Sequence, residues 1–355
     1  MKSKKVIKRK EDHLDLAKKA QLFADLADGR FDYEPLFSAH PSLQQCKTDL
    51  SVNFLGKQLM APLWISSMTG GGKKSGQING RLAEVASEFG LGMGLGSCRQ
   101  LLEKNCAKKV WNDFDFRPII GAKLPFFANL GIAQIEKMLK EGQTERIYEL
   151  IDKLSADGLI IHINPLQEWL QPEGDRLEKS PLETLQIFLK GAPFPVIVKE
   201  VGQGFGPASL QALIQLPLAA IEFAAFGGTN FSLLESLRRR HQGPISTLNP
   251  LCLVGHSASE MVENTGKLVV KLKELALCRN FIVSGGISNY LDGYFFTSKL
   301  EQAVGHPVLY GQAAAFLEMA TVSYKQLKVY VAKQVQGLMM ARNFLKIKSS
   351  AGEVL

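Results

Sequence analysis

Val196-Ile197-Val198-Lys199-Glu200 reads as a short buried strand that stops on a cation. Three β-branched residues in a row suit a strand covered on both faces, the usual state of a parallel strand. The same design recurs along the chain. Apolar runs at 63–67, 91–96, 124–129, 159–163, 196–199, 221–226, 281–285 and 308–311 each close on small or chemically capable residues. Those residues are Met68-Thr69, Ser97-Cys98-Arg99, Asn129, His162 to Asn164, Lys199, Gly227-Gly228-Thr229, Gly285-Gly286 and Gln312. Eight such runs predict an α/β fold, a closed (β/α)8 TIM barrel with an N-terminal extension. Its functional side chains gather on the rim formed by the strands' C-terminal ends.

Helical signals fill the intervals. Leu14, Ala17, Leu22 and Leu26 share a face and predict a helix over 14–27, ended by Gly29. Further helices are predicted at 79–89 (closed by Gly90), 132–154 (broken near Gly142), Pro181–Leu189, 208–214, 233–239 and 261–277, which complete the helical set. Residues 43–54 read as a short extended segment. Alternation of this kind implies a parallel sheet covered by helices. The division expected is an arm and extension over 1–60 packed on the barrel, the barrel over 61–340, and a tail over 341–355. The connection from Arg239 to Asn280 is long for one crossover and predicts an extra loop over the rim or a subunit contact.

The 355 residues are 46% hydrophobic and 21% charged, enough for one large core. Forty-two basic against 34 acidic residues give +8, which suits an anionic partner without choosing between nucleic acid, membrane surface and phosphorylated metabolite. No Lys/Arg block alternates with aromatics, so nucleic acid is the weaker choice. Five cysteines, an odd number without a CxxC, argue for reduced thiols in a cytoplasmic protein. The Lys-rich N-terminus is followed by no apolar stretch of signal-peptide length, and no run reaches the ~20 apolar residues that span a bilayer.

Three glycine turns follow strands and precede helices: Ser67-Met68-Thr69-Gly70-Gly71-Gly72, Gly227-Gly228-Thr229-Asn230 and Gly285-Gly286-Ile287-Ser288. Such turns let backbone N–H groups close on a phosphate beside a helix N-terminus. Any one alone is equally a tight βα turn; three at matching places favour a ligand. Gly90, Gly92, Gly94 and Gly96 lack the dinucleotide spacing and suit close packing of a strand. Lys199 closing its strand can stabilise negative charge, or simply reach solvent. Lys199, Asn129, Ser97 and Thr69 together form a set able to hold a flavin ring. The densest segment is His162-Ile163-Asn164-Pro165-Leu166-Gln167-Glu168-Trp169-Leu170-Gln171-Pro172-Glu173-Gly174-Asp175. Its carboxylates suit Mg²⁺ shared with substrate phosphates, or form an ordinary polar loop. Arg9-Lys10-Glu11-Asp12-His13 puts Arg9 and His13 on one face if helical; alone it reads as a solvated terminus.

Taken together, these residues resemble the type 2, FMN-dependent isopentenyl-diphosphate isomerases, over nearly the whole chain. The most specific element is His162-x-Asn164-Pro165-Leu166-Gln167-Glu168 followed by Pro172-Glu173-Gly174-Asp175. Arg9-Lys10-x-x-His13, Ser67-Met68-Thr69-Gly70-Gly71, Gly96-Ser97-Cys98-Arg99, Val198-Lys199-Glu200-Val201-Gly202 and Gly227-Gly228-Thr229-Asn230 fall in family order. The resemblance implies interconversion of isopentenyl and dimethylallyl diphosphate in isoprenoid biosynthesis, with reduced FMN, Mg²⁺ and NADPH as reductant. It implies that Arg9, Lys10, His13, Ser97, Arg99, Asn164 and Gln167 bind substrate. Glu168 would ligate Mg²⁺. His162 and Gln167 would be catalytic residues beside FMN, which would itself serve as acid and base, with His162 orienting substrate or relaying a proton. Ser67, Met68, Thr69, Ser97, Asn129, Lys199, Thr229, Gly285, Gly286, Ser288, Ala313 and Ala314 would line the FMN. A cytoplasmic homo-oligomer, tetramer or octamer, is expected, with a small diphosphate as partner and neither nucleic acid nor a membrane span. Three places depart from the family pattern, one of them the Arg239–Asn280 connection, which is longer than the family's. Ser288 stands where a basic residue is common, and Gly305-His306-Pro307-Val308-Leu309-Tyr310-Gly311 replaces the usual Gly-Ala-Asp run.

Two rivals remain in view. A 2-hydroxyacid oxidase on the same fold needs a histidine base beside an arginine late in the barrel; the turn Phe226-Gly227-Gly228-Thr229-Asn230-Phe231 has neither. A barrel that has lost catalysis and binds flavin or diphosphate as a sensor is the other.

Overall fold

In the computed structural model of the chain, residues 2–37, 48–68, 70, 74–103, 105–240 and 250–348 are described, the side chains of 2–5, 239 and 240 excepted. Eight parallel strands close a barrel: β1 (Leu63–Ile65), β2 (Gly92–Gly94), β3 (Phe126–Gly131), β4 (Gly158–His162), β5 (Val196–Lys199), β6 (Ala220–Glu222), β7 (Phe281–Ser284) and β8 (Leu309–Gln312). Each of the eight predicted runs holds or overlaps one strand. β8 closes on β1 with Gln312 opposite Ile65. Gly131, His162, Lys199 and Glu222 stand in one register row across β3 to β6. Neighbours in a row of a parallel sheet project to the same face, so the register itself collects these side chains.

Away from the rim the strands are apolar, because both faces are covered. Trp64 of β1 is fully buried and meets the Phe127 ring of β3 edge-on, with centroids 6.1 Å apart. Gly92 lies beneath it: a Cβ there would fall 2.3 Å from the Trp64 ring. Removing the indole would cost about 3–5 kcal/mol. At the opposite end from the rim, Asp157 accepts from Lys57 Nζ, Arg117 Nη2 and Phe126 N at 2.5, 2.9 and 2.8 Å. Ion-pair networks at that end hold the fold rather than a ligand.

The helices follow their punctuation. Ser75–Phe89 ends at Gly90 in the left-handed conformation, φ +64°. The predicted 132–154 helix is two helices, Ile132–Lys140 and Glu145–Leu154, parted at Gly142 with φ +63°. Pro181–Leu189 begins on Ser180, whose hydroxyl accepts from Glu183 N. Pro207–Ile214, Phe231–Arg240 and Ala258–Leu272 match the remaining expectations within a few residues, the last followed by a 3-10 turn to Leu275.

Two expectations are corrected. The first helix occupies Lys2–Leu16, not 14–27. Leu14, Leu22 and Leu26 stay exposed, so their spacing has no core to order it, whereas 2–16 is rich in straight-chain helix formers. The helical set also does not stop at 277. Tyr290–Val304, Ala314–Val322 and the 21-residue Tyr324–Phe344 follow. Asn289 announces the first of these by accepting from Leu291 N and Asp292 N, with Asp292 completing a capping box.

The chain divides into two compact units. The larger, Ala39–Asn343, holds the barrel and the antiparallel pair Val52–Phe54 and Lys57–Leu59. The smaller, Met1–Ser38 with Phe344–Leu355, holds the first helix and an antiparallel pair joining Phe31–Tyr33 to Leu345–Ile347. Among the described residues no helix is long and apolar enough to cross a membrane.

Candidate functional site

A cavity of about 800 Å³, including its open mouth, sits at the C-terminal ends of β1 and β5 to β8. Ser67, Met68, Lys199, Thr229, Gly285, Gly286, Ser288, Ala313 and Ala314 all line it. Thr69 lies outside the described residues. Ser97 and Asn129 do not line this cavity. Ser97 follows β2 and Asn129 lies on β3, and the two segments are joined where Cys98 N donates to Asn129 O at 2.7 Å.

Glycine is required at the turns for a defined reason. Gly285 has φ +87°, and a Cβ on it would lie 2.2 Å from Ala225 N and O. A Cβ on Gly228 would lie 3.1 Å from Gly286 N and 3.2 Å from Gly285 Cα. The turns after β6 and β7 therefore pack backbone against backbone and leave main-chain groups facing the cavity. Gln312 secures the arrangement: its Nε2 donates to Ile287 O at 3.0 Å while Tyr330 Oη donates to its Oε1 at 2.8 Å.

Across β3 to β5 the strand ends bring polar side chains together. His162 Nδ1 lies 2.7 Å from Asn129 Oδ1. A carbonyl oxygen only accepts, so Nδ1 carries the proton and Nε2 the lone pair. Burial, and then the Lys199 cation, push the imidazole down to about 3. The ring is therefore uncharged at neutral pH. Gly131 makes room for it, since a Cβ there would lie 2.8 Å from Nε2. Lys199, buried at 7% exposure, donates from Nζ to Glu200 O at 2.7 Å. The Glu200 carboxylate turns away and receives the N–H groups of Gly202, Gln203 and Gly204 on Oε2 at 2.6, 2.6 and 2.9 Å. Burial pushes this carboxyl up, opposed by those three donors.

The segment 162–175 is not a plain loop. Pro165–Leu170 is a short helix with proline in its first turn. Glu168, 6% exposed, is its hub. Oε1 accepts from Asn164 Nδ2 at 3.0 Å, Oε2 accepts from Asp175 N at 2.8 Å, and its carbonyl accepts from Arg176 Nη1 at 2.9 Å. Asn164 Nδ2 also reaches Gln167 Oε1 at 3.2 Å, while Asn164 Oδ1 is buried with no partner. Gly174 is obligatory, because a Cβ would fall 1.9 Å from Glu168 O. Arg99 closes the far side through Asp175 at 3.1 Å. Arg238 reaches over from helix Phe231–Arg240 to Glu173 at 2.8 Å and holds that exposed carboxyl down at about 2. No group of three or more His, Cys, Asp or Glu side chains is clustered for a metal among the described residues.

Arg9, Lys10 and His13 lie on the helix Lys2–Leu16 of the smaller unit and are exposed. Arg9 and His13 are one turn apart on it, as the spacing predicts. The long connection after Arg239 contains 241–249, outside the described residues, then a 3-10 turn at Pro250–Leu253. The segment that follows runs along the rim: Gln203 Nε2 donates to Leu251 O and Val254 O, His256 N to Gln203 O, and Phe226 N to His256 O.

Sequence reasoning missed Glu222, Ser66 and Ser284, which also line the cavity. Glu222 has no exposed surface, and Ser284 Oγ donates to its Oε1 at 3.1 Å. The available signal was an acid set inside an apolar run, Ala219-Ala220-Ile221-Glu222-Phe223-Ala224.

No family model matches the chain. The isopentenyl-diphosphate delta-isomerase of a Nostoc species is 36% identical over 285 residues, covering 80% of this chain and 77% of that protein. The Pseudescherichia vulneris protein of the same name is 34% identical, covering 91% and 88%. The Rickettsia felis protein of that name is 32% identical, covering 89% and 86%. Among solved structures, a mandelate oxidase variant carrying an FMN adduct superposes with a TM-score of 0.53 at 12% identity, over 90% of this chain and 88% of that one. At that identity the likeness concerns the fold alone.

Proposed function

The chain belongs to the isopentenyl-diphosphate delta-isomerase family, and from that premise we propose that it interconverts isopentenyl and dimethylallyl diphosphate, with reduced FMN and Mg²⁺ bound and NADPH as reductant. The observation that supports this most directly is the convergence of Asn129, His162 and Lys199 on one rim beside an open cavity.

The residues present fit a flavin. Ser66 Oγ and Ser67 Oγ are buried and lack partners, so the cavity offers hydrogen-bonding groups still to be satisfied. Gly227, Gly228, Gly285 and Gly286 line the cavity with main-chain groups that a phosphate-bearing ligand can use. Lys199 brings a cation to the cavity wall. With Ser288 in place of a basic residue, the phosphate would rest on backbone N–H groups and on the N-terminus of helix Ala314–Val322. Thr69, Ser97 and Thr229 complete the expected contacts. Mg²⁺ would be held by Glu168 together with substrate phosphate oxygens, the common arrangement for this ion. Each Glu168 oxygen keeps a lone pair beyond the bond it already accepts.

When bound in its reduced form, FMN supplies the acid–base centre for moving a proton between two carbons of an unactivated alkene. The chain's own residues bind, orient and exclude water. His162 works as a neutral hydrogen-bonding ring fixed by Asn129. Gln167, held through Asn164, orients the substrate beside it. Arg99 and Asn164 take the diphosphate, so that remote binding positions the alkene. Lys199 offsets negative charge that develops in the cavity.

The reading extends to a barrel over 61–340 carrying the chemistry, with 1–60 and 341–355 as arm and tail. It extends also to a cytoplasmic homo-oligomer of four or eight copies that binds no nucleic acid and does not span a membrane. The oxidase alternative lacks its histidine–arginine pair in 226–231. The test is an anaerobic assay with isopentenyl diphosphate, FMN, NADPH and Mg²⁺, followed by proton NMR. Dimethylallyl diphosphate should form only when flavin is present and reduced. Flavin bound with no conversion would favour the non-catalytic barrel.

A further inference from the structure

Four consecutive strands carry a polar arc inside the barrel mouth. It runs from Glu222 at the end of β6, through Ser284 on β7 and Gly311 on β8, to Ser66 just beyond β1. Ser284 Oγ accepts from Ala224 N at 2.9 Å and spends its single proton on Glu222 Oε1 at 3.1 Å. Gly311 supplies the space between its neighbours: a Cβ there would lie 2.4 Å from Ser66 Oγ and 3.0 Å from Ser284 Cβ. Two atoms on the arc are left over. Glu222 Oε2 and Ser66 Oγ are both buried without a partner, on residues with 0% and 6% exposure. A carboxylate oxygen so placed is costly unless a donor reaches it. The next hydroxyl, Ser67 Oγ beside Gly94, is unpartnered as well.

We infer that Glu222 is a ligand-binding residue that accepts hydrogen bonds from the hydroxylated side chain of the flavin, with Ser66 as its partner across Gly311. The assignment rests on the flavin reading above and deepens it. A polyol is the chemistry that answers this arc. Its hydroxyls donate to Glu222 Oε2, which can only accept, and each can also accept from a serine. A purely apolar ligand would leave all three atoms unsatisfied. The isoalloxazine ring offers an N–H donor too, and the experiment separates the two.

Flavin affinity is measured by fluorescence quenching for FMN and for a flavin bearing a phosphopentyl chain, which keeps ring and phosphate but lacks the three hydroxyls. Wild-type protein should prefer FMN at least tenfold. Glu222→Gln, which keeps the size of the side chain, should reduce that preference to threefold or less. Its main loss should fall on FMN. Equal losses for both flavins would mean a structural or ring-facing role and overturn the assignment. So would a wild-type protein that does not discriminate, a result that needs no variant to fold. Ser66→Ala should narrow the preference in the same direction. Wild-type protein that binds neither flavin would remove the flavin reading itself, and this assignment with it.

Discussion

His162 Nδ1 meets Asn129 Oδ1 at 2.7 Å across adjacent strands, and that contact decides what the imidazole can do. The proton is committed to Asn129. Burial and Lys199 keep a second proton off, holding the ring down at about 3. The residue that the sequence offers for orienting substrate or relaying a proton is therefore an uncharged ring of fixed orientation, with its lone pair on Nε2.

Its stability signature follows with a definite sign. The unfolded chain protonates this histidine near 6.5, while the folded protein does so only near 3. Between those values the unfolded state binds the extra proton, so stability falls as pH falls, by up to about 1.4 kcal/mol per pH unit. Urea midpoints for wild type and His162→Gln should diverge between pH 7 and pH 5, the wild type losing more. Carboxylates common to both proteins cancel in the comparison. Parallel curves would show that the ring titrates normally.

Two glycines with left-handed backbones separate strain from clash. Gly142→Ala meets nothing within 4 Å and should cost about 1 kcal/mol, the expense of the φ value alone. Gly285→Ala drives a methyl onto the backbone of Ala225. It should cost several times more and abolish flavin binding. Thermal melts with and without FMN check both; equal destabilisation would contradict the packing of the two turns.

What could be read from the sequence, and what could not, divides on range. β5 is legible because Val196, Ile197 and Val198 are covered on both faces and Lys199 ends the run. The helix at Pro181–Leu189 is legible because Ser180 and Pro181 are local signals. Glu222 was not, because its partner Ser284 lies 62 residues away and only the closed barrel brings them together. The first helix was misplaced because a 3.6-residue spacing of leucines says nothing about whether a core exists to receive them. Tyr290–Val304 did have a local signal, Asn289-x-x-Asp292, and went unread. Glu168 was legible as a carboxylate in a dense polar segment; its role as the hub of 164–176 was not, since three of its bonds are to residues on both sides of a turn.

Glu168 supports both structure and the proposed chemistry, and substitutions separate the two. Glu168→Ala strands the Asn164 amide and the Asp175 N–H in a buried place and should cost about 2–3 kcal/mol. Glu168→Gln keeps one acceptor and the volume, so it should cost about half as much. Both should lower activity at least a hundredfold and remove its dependence on Mg²⁺. A Gln variant that retained Mg²⁺-dependent turnover would take the metal away from this side chain.

Lys199 and His162 are coupled by charge, which yields a prediction independent of catalysis. The lysine is the second cause of the imidazole's low pKa, after burial. Lys199→Met removes the cation and leaves an apolar chain of similar length, so the burial contribution stays. The histidine should then titrate at higher pH, still below its ordinary value. Proton NMR of the ring Cε1–H, assigned by its loss in His162→Gln, follows the change directly. The same variant should bind FMN more weakly, because the buried cation on the cavity wall is gone. An unmoved His162 resonance would mean that the two side chains, opposite each other in register on β4 and β5, do not share one electrostatic environment. The site as described depends on their doing so.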